Sequence, residues 1–226
     1  MCHASSILFG VSNLTAEDVA GKDVLDIGSH DYNGNFSPIV KNLKPSKFIG
    51  IDIIPGPGVD IVCSGEEAVE KFGKNSFDVV VASELMEHAR NWREVISNIK
   101  NVCKPNGIIF ITTRSKGFRL HGYPHDYWRY ELDDMRKIFA DCEILNLESD
   151  RQAPGVFIKA KKPVNFKEVS LEDISLYSVI EKSRILSLDS KKEKKFQKRY
   201  EMYRKIIKLR SRVEGMIFRL VRKLAF

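Results

Sequence analysis

Residues 22–36, Lys22-Asp-Val-Leu-Asp-Ile-Gly-Ser-His-Asp-Tyr-Asn-Gly-Asn-Phe36, decide the fold of this 226-residue chain. The apolar run Val24-Leu25-Asp26-Ile27 has the length and composition of a short buried strand. It breaks at Gly28 into a polar turn, and a helix is predicted from about Asn33 or Gly34. Strand, glycine turn and helix open an α/β nucleotide-binding sheet, whose ligands lie outside the carboxyl ends of the strands. Gly28 lets backbone and ligand approach closely, because a Cβ there would occupy the crevice. Asp26, an acid inside an apolar strand, is costly to bury alone, so it is expected to face a donor or a ligand. On these residues alone an ordinary strand–turn–helix remains an equal alternative.

Downstream, the same pattern repeats. Lys47-Phe-Ile-Gly-Ile-Asp52 is a second buried strand ending in an acid, 24 residues after Gly28. That is close to the roughly 20-residue spacing of a ribose-hydroxyl acceptor at the second strand tip. The alternative for Asp52 is a solvated turn acid before Pro55-Gly56-Pro57-Gly58. A third strand is predicted over 59–63, a helix over 65–72, and a central strand at Val79-Val80-Val81-Ala82. Ser83-Glu84-Leu85-Met86-Glu87-His88 follows at once. A helix over 91–102, the turn Lys104-Pro-Asn-Gly107, a strand over 108–113, a helix over 131–139 and closing strands over 143–147 and 155–160 complete the series. The fold predicted is α/β and Rossmann-like: a doubly wound, mostly parallel seven-stranded sheet with helices on both faces.

Composition narrows the class. Hydrophobic residues make up 43% of the chain, enough for a sizeable core, and no apolar run reaches membrane-spanning length. The N-terminus lacks a charged segment followed by an apolar one, so no secretory leader is expected. Cys2, Cys63, Cys103 and Cys142 have no metal-ligand spacing and three of them sit within apolar runs, which predicts three buried thiols, a reducing cytoplasmic compartment and no metal site. The net charge of +7 is uneven: residues 191–223 carry fourteen Lys or Arg against three Glu, leaving the remainder mildly acidic.

The set Val24-Leu-Asp-Ile-Gly28, Ile49-Gly-Ile-Asp52, Phe77-Asp-Val-Val-Val-Ala-Ser-Glu84 with Glu87-His88, and Lys104-Pro-Asn-Gly107 resembles class I S-adenosylmethionine-dependent methyltransferases over residues 20–160. One departure is evident. The usual Gly-x-Gly-x-Gly is here Gly28-Ser-His30-Asp31-Tyr-Asn33-Gly34, with histidine at the middle glycine. Asp31 would sit beside the phosphates of a dinucleotide, whereas S-adenosylmethionine carries an ammonium and a sulfonium that suit Asp26, Asp31, Asp52 and Glu84. The resemblance implies a cofactor site of Asp26, Gly28 and His30 on the methionine side and Asp52 at the ribose. It also implies Ser64, Gly65 and Glu66 by the adenine, and Ala82, Ser83 and Glu84 under the sulfonium. His88 is either a methionine-side contact or a structural cap.

The loop after the fifth strand, Gly117-Phe-Arg-Leu-His121-Gly-Tyr123-Pro-His125-Asp126-Tyr127-Trp128-Arg129-Tyr130, concentrates aromatic, basic and proton-transfer groups. It resembles methyltransferases associated with surface-polysaccharide synthesis, which implies a saccharide-like acceptor. Tyr123, Tyr127, Trp128 and Arg129 are the expected acceptor contacts, His125 the first candidate for general base and Asp126 the second. A structural aromatic loop capping the core is the alternative.

The methyltransferase domain is expected over 1–163 and a helical extension over 164–226. Within the extension a helix is predicted over 171–188, followed by a basic amphipathic helix with Phe196, Tyr200, Tyr203, Ile207, Val213, Ile217, Leu220 and Leu224 at helical spacing. Such a helix suits an anionic membrane surface on the cytoplasmic side, nucleic acid, or packing on protein. The expected function is O-methylation of a small or saccharide-like acceptor. An RNA methyltransferase using the tail as an electrostatic arm, and a scaffold with a degenerate cofactor site, are the alternatives.

Overall fold

The computed structural model describes residues 4–32, 34, 36–121 and 125–225. Strands β1 (Asp23–Ile27), β2 (Lys47–Asp52), β3 (Ile61–Val62), β4 (Phe77–Ser83), β5 (Cys103–Arg114), β6 (Trp128–Arg129), β7 (Glu143–Ser149), β8 (Gly155–Lys161), β9 (Leu176–Ser178) and β10 (Ser183–Ile185) alternate with helices. These are α1 (Ala4–Asn13), α2 (Ala16–Val19), α3 (Ser37–Asn42), α4 (Ala68–Phe72), α5 (Trp92–Val102), α6 (Leu132–Ile138) and α7 (Ser190–Ala225). Seven strands form one sheet in the order β3-β2-β1-β4-β5-β8-β7. β1 to β5 run parallel, and β8 is antiparallel to both β5 and β7. The chain moves outward from β1 to β3 and returns to β4, so the strand order reverses between β1 and β4. Ligand crevices of open α/β sheets lie at that reversal.

Alternation of side chains explains the two covered faces. Val24, Val79, Val81, Ile108, Phe110 and Phe157 point to one side and pack with Phe9, Leu14, Val19 and Val40 from the first three helices and their links. Phe110 stacks between Phe9 at 5.1 Å and Phe36 at 5.2 Å. Leu25, Ile27, Val80, Ile109 and Ile111, of opposite parity, are equally buried. α5 covers β4 and β5, presenting Val95, Ile96, Ile99 and Val102.

Three expectations are corrected. The first helix after Gly28 begins at Ser37, not at Asn33 or Gly34. Gly34 has φ +98° and its amide donates to Asp31 Oδ1 at 2.6 Å, a closed turn that must finish before Pro38 can start a helix. The third strand is only Ile61–Val62. Residues 171–188 are not helical: β9 and β10 form an antiparallel hairpin, and β9 also pairs with β6. Ser178 Oγ accepts from the amides of Ile180 and Glu181 at 3.2 Å each, and Lys182 takes φ +55°, which turns the chain. The hairpin thus belongs to the sheet-bearing unit, residues 1–186, and residues 187–226 form a second unit carrying α7.

Candidate active site

The crevice is built from strand tips. Gly28 N and Ser29 N donate to Ile51 O at 2.8 and 3.0 Å, tying the turn after β1 to β2. Gly28 has φ +80°, and an added Cβ would lie 3.2 Å from Leu85 Cβ, so the β1 turn and the segment after β4 meet across it. Asp26 is buried, and Ser37 Oγ donates to its Oδ2 at 2.8 Å. Burial pushes its carboxyl up to about 6 despite that bond and the more distant Lys41. A buried carboxylate with so little positive compensation fits an incoming ammonium. At the next tip Asp52 is half-buried and accepts from His30 N at 3.2 Å and Ile54 N at 3.0 Å. The His30 ring stacks on Tyr32 at 4.1 Å and lies against Gly56, where a Cβ would come within 2.3 Å of Nε2. The glycine at 56 is therefore what accommodates the histidine in the loop.

On the adenine side, Ser64 caps a short turn Gly65–Glu67 by accepting from Glu66 N at 3.2 Å. Glu66 accepts from Asn91 Nδ2 at 3.2 Å. At the β4 tip Ala82 is buried, Ser83 Oγ meets Thr112 Oγ1 at 2.9 Å, and Glu84 takes the strained φ +54°. Glu84 pairs closely with Arg114, which is itself wholly buried and bonded to Asp150 at 3.1 Å and Ser6 Oγ at 3.1 Å. Burial and the neighbouring Glu87 carboxylate push the Glu84 carboxyl upward in spite of Arg114.

The loop after β5 folds onto this edge. Asp126 is buried and held by Arg129 Nη1 at 2.5 Å and Nη2 at 2.9 Å, and it accepts from His121 N at 2.8 Å. Burial alone would raise its pKa, but Arg129 and His121 together outweigh burial and hold the carboxyl at about 2. Asp126, the second candidate base, thus has both of its oxygens held by Arg129. Arg129 is spent on Asp126 and on the carbonyls of Trp128, Phe118 and Arg119. Trp128 is buried with its Nε1 on Arg90 O at 3.2 Å. Neither is placed as an open acceptor contact, because each satisfies a polar group inside the loop. Tyr127 is buried, with its hydroxyl 3.1 Å from His125 Nδ1. His125 is exposed, and its carbonyl accepts from His88 Nδ1. Tyr123 lies outside the described residues.

The predicted cofactor residues therefore gather along one edge at the tips of β1, β2 and β4. Sequence reasoning missed Ser6, Arg114, His121 and Asp150, which join that edge through contacts between distant segments. A buried Arg at the end of an apolar strand was the one available signal.

A doubly wound sheet with acids near the first two strand tips fits the Rossmann-like fold of methyltransferases. The sequence profile of the methyltransferase-domain family matches residues 7–147, and the chain belongs to that family. Mitochondrial ubiquinone biosynthesis O-methyltransferase of Mus musculus is 47% identical over 55 residues, 24% of this chain and 15% of that protein. The corresponding enzyme of Parvibaculum lavamentivorans is 28% identical over 68 residues, 30% of this chain and 26% of that one. The chain thus spans about a quarter or less of these curated relatives. Among solved structures, the 1,6-didemethyltoxoflavin-N1-methyltransferase of Burkholderia thailandensis, with bound S-adenosylhomocysteine, superposes with a TM-score of 0.57 at 14% identity. It covers 70% of this chain and 78% of its own, a likeness of fold alone.

Proposed function

We propose that the chain methylates a hydroxyl oxygen of a small-molecule or saccharide-like acceptor, with His125 as general base. The observation that carries this reading is the exposed His125 imidazole, held at the mouth of the site by its carbonyl bond to His88 and its ring contact to Tyr127. The cofactor supplies an electrophilic methyl group, so the protein's task is alignment and removal of the hydroxyl proton. Asp26 would hold the ammonium, Asp52 the ribose hydroxyls, and the turn at Ser64, Gly65 and Glu66 the adenine, with Ser83 and Glu84 at the methyl end. Similarity to the ubiquinone O-methyltransferases supports oxygen as the acceptor atom.

A cavity of about 900 Å³ beside the loop supports an acceptor with both a stacking face and negative charge. Phe118 and Tyr177 line it together with Lys116, Lys182 and Arg184. Phe118 reaches toward the crevice, its ring 5.0 Å from His121 and 4.6 Å from the Arg114 guanidinium. The basic helix α7 is proposed to attach the enzyme to an anionic membrane surface, which would suit a lipid-linked saccharide acceptor.

His125→Ala should lower kcat about 10²–10⁴-fold, the range for a lost general base, with the dissociation constant for S-adenosylmethionine nearly unchanged. Mass spectrometry of products from a panel of hydroxyl and amine acceptors identifies the methylated atom. Transfer to nitrogen or carbon alone, or full turnover without His125, would overturn the reading.

A further inference from the structure

The turn after β4 and the loop after β5 bring together three metal-ligating side chains, Glu87, His88 and His121, of which the cofactor reading uses only His88. Glu87 is wholly buried, and Thr113 Oγ1 donates to its Oε2 at 2.8 Å. Its other oxygen, Oε1, is buried with no hydrogen-bond partner among the described residues. Two imidazole nitrogens face that oxygen: His121 Nε2 at 3.4 Å and His88 Nε2 at 3.8 Å. One ligand atom from each residue lies within 4.8 Å of the others. A tetrahedral ion with bonds of 2.0–2.1 Å holds its ligand atoms about 3.3 Å apart, so closure needs movements of tenths of an ångström to about one ångström.

We propose that Glu87, His88 and His121 form a binding site for a divalent transition-metal cation of the Zn²⁺ class. The imidazoles are already oriented for it. His88 donates from Nδ1 to the His125 carbonyl, which leaves its Nε2 to carry a lone pair, and His121 turns Nε2 toward Glu87 with Nδ1 3.3 Å from Asp126 Oδ2. Asp126 is fixed in turn by Arg129, which accounts for a buried ion pair in an otherwise open loop. Two nitrogens and one carboxylate favour Zn²⁺, Fe²⁺, Mn²⁺ or Co²⁺ over Ca²⁺ and Mg²⁺, which take oxygen ligands. Three protein ligands leave coordination positions open, as catalytic rather than structural sites do. The adjacent Glu87-His88 pair and a third ligand from a distant loop form no sequence motif of fixed spacing, so the cysteine-based expectation of no metal site was blind to it.

The site's role toward the acceptor rests on the O-methylation proposed above; its existence does not. An acceptor hydroxyl entering an open position would lose its proton more readily. The proton passes to the His125 imidazole, the oxygen forms a bond to the methyl carbon, and the carbon–sulfur bond breaks with its electron pair going to sulfur. S-adenosylhomocysteine and the methyl ether are the products. The competing occupant of the same space is a proton on His121, shared between Glu87 and Asp126, with no ion at all.

The full chain, stripped with a chelator, is titrated with Co²⁺ as a spectroscopic stand-in and with Zn²⁺ in competition. One equivalent should bind with the visible absorption of a low-symmetry cobalt site. His121→Ala and Glu87→Gln should each weaken binding about 100-fold or more, since even removing a partner behind a ligand costs 10–100-fold. Asp52→Ala, an acid lost from the same sheet edge, should leave the cobalt spectrum intact. His121 is half-exposed, and retention of cofactor affinity in His121→Ala shows that the variant is folded. Absence of saturable Co²⁺ and Zn²⁺ binding in the parent chain, or equal binding in both variants, would refute the site. Hydroxyl methylation that proceeds fully in chelator, with no bound ion, refutes the metal and leaves the O-methylation reading standing. Stoichiometric cobalt binding in a chain that methylates only nitrogen supports the metal site and refutes that reading.

Discussion

Asp26 is the residue on which the chemistry of the crevice turns. Its folded carboxyl titrates near 6 against an ordinary value of 3.8, so the folded chain binds a proton there more tightly than the unfolded chain. The stability this contributes is complete below about pH 4, is lost as the pH rises toward 6, and above 6 the buried charge opposes folding. The shift corresponds to roughly 3 kcal/mol as an upper bound. Asp26→Asn should therefore raise the Tm of the ligand-free protein at pH 7.5 by a few degrees, measured by calorimetry. The same variant should bind S-adenosylmethionine about 10–150-fold more weakly, the value of a lost charged hydrogen bond. In the parent chain, affinity should fall as the pH drops below 6, because protonated Asp26 no longer attracts the ammonium. A pH-independent affinity between 5 and 8 would remove Asp26 from the cofactor site. Asp26 and Asp52 drew notice in the sequence because an acid inside or ending a buried strand calls for a partner. The partners that Asp126, Trp128 and Arg129 take were not legible, for a physical reason too. A run of polar and aromatic residues does not reveal which groups satisfy one another, and here Arg129 consumes Asp126.

At the scale of elements, the segment bearing the β9–β10 hairpin is tied to α5. Arg93 on α5 donates to the carbonyls of Leu171, Leu186 and Ile174 at 2.8 Å and of Glu172 at 3.3 Å, with its guanidinium 4.6 Å from the Trp92 ring. A planar fork meeting four carbonyls is a geometry that lysine cannot copy. β9 then pairs with Trp128 and Arg129, so Arg93 indirectly fixes the segment bearing Asp126, Tyr127 and His125. Arg93→Ala should cost about 2–4 kcal/mol and open residues 171–186 to limited proteolysis. Turnover should fall while cofactor affinity holds, and Arg93→Lys should rescue little. If the hairpin stays protected from proteolysis in Arg93→Ala, the strap is not the cause of its order. The alternating strands and helices of the sheet were legible through their periodic apolar runs. This hairpin was not, because Leu171, Ile174 and Tyr177 follow at a spacing of three that a helix also shows. What makes 176–178 a strand is pairing with β6 nearly fifty residues earlier, and local periodicity carries no trace of it.

For the whole molecule, charge is partitioned as sharply as structure. Residues 1–186 form the sheet-bearing unit, and residues 187–226 form a second unit dominated by the 36-residue helix α7. The fourteen cations of 191–223 lie on that helix. No helix among the described residues is long and apolar enough to cross a membrane, so any attachment of α7 to a bilayer is to its surface. Electrostatic attraction alone would not call for apolar residues from Phe196 to Leu224 at helical spacing, and burial of that stripe alone would not call for so many cations. Adsorption on an anionic bilayer uses both, at about 1 kcal/mol per basic residue near the surface and less at high salt. The full chain should therefore float with liposomes containing anionic lipid and not with neutral ones. A chain ending at Asp189 should lose flotation and keep its affinity for S-adenosylmethionine. Raising the salt should release the full chain only in part, because the apolar stripe is not screened. Equal flotation of both chains, or tail-dependent binding to RNA without binding to liposomes, would reject the membrane surface and return α7 to the role of an electrostatic arm for nucleic acid.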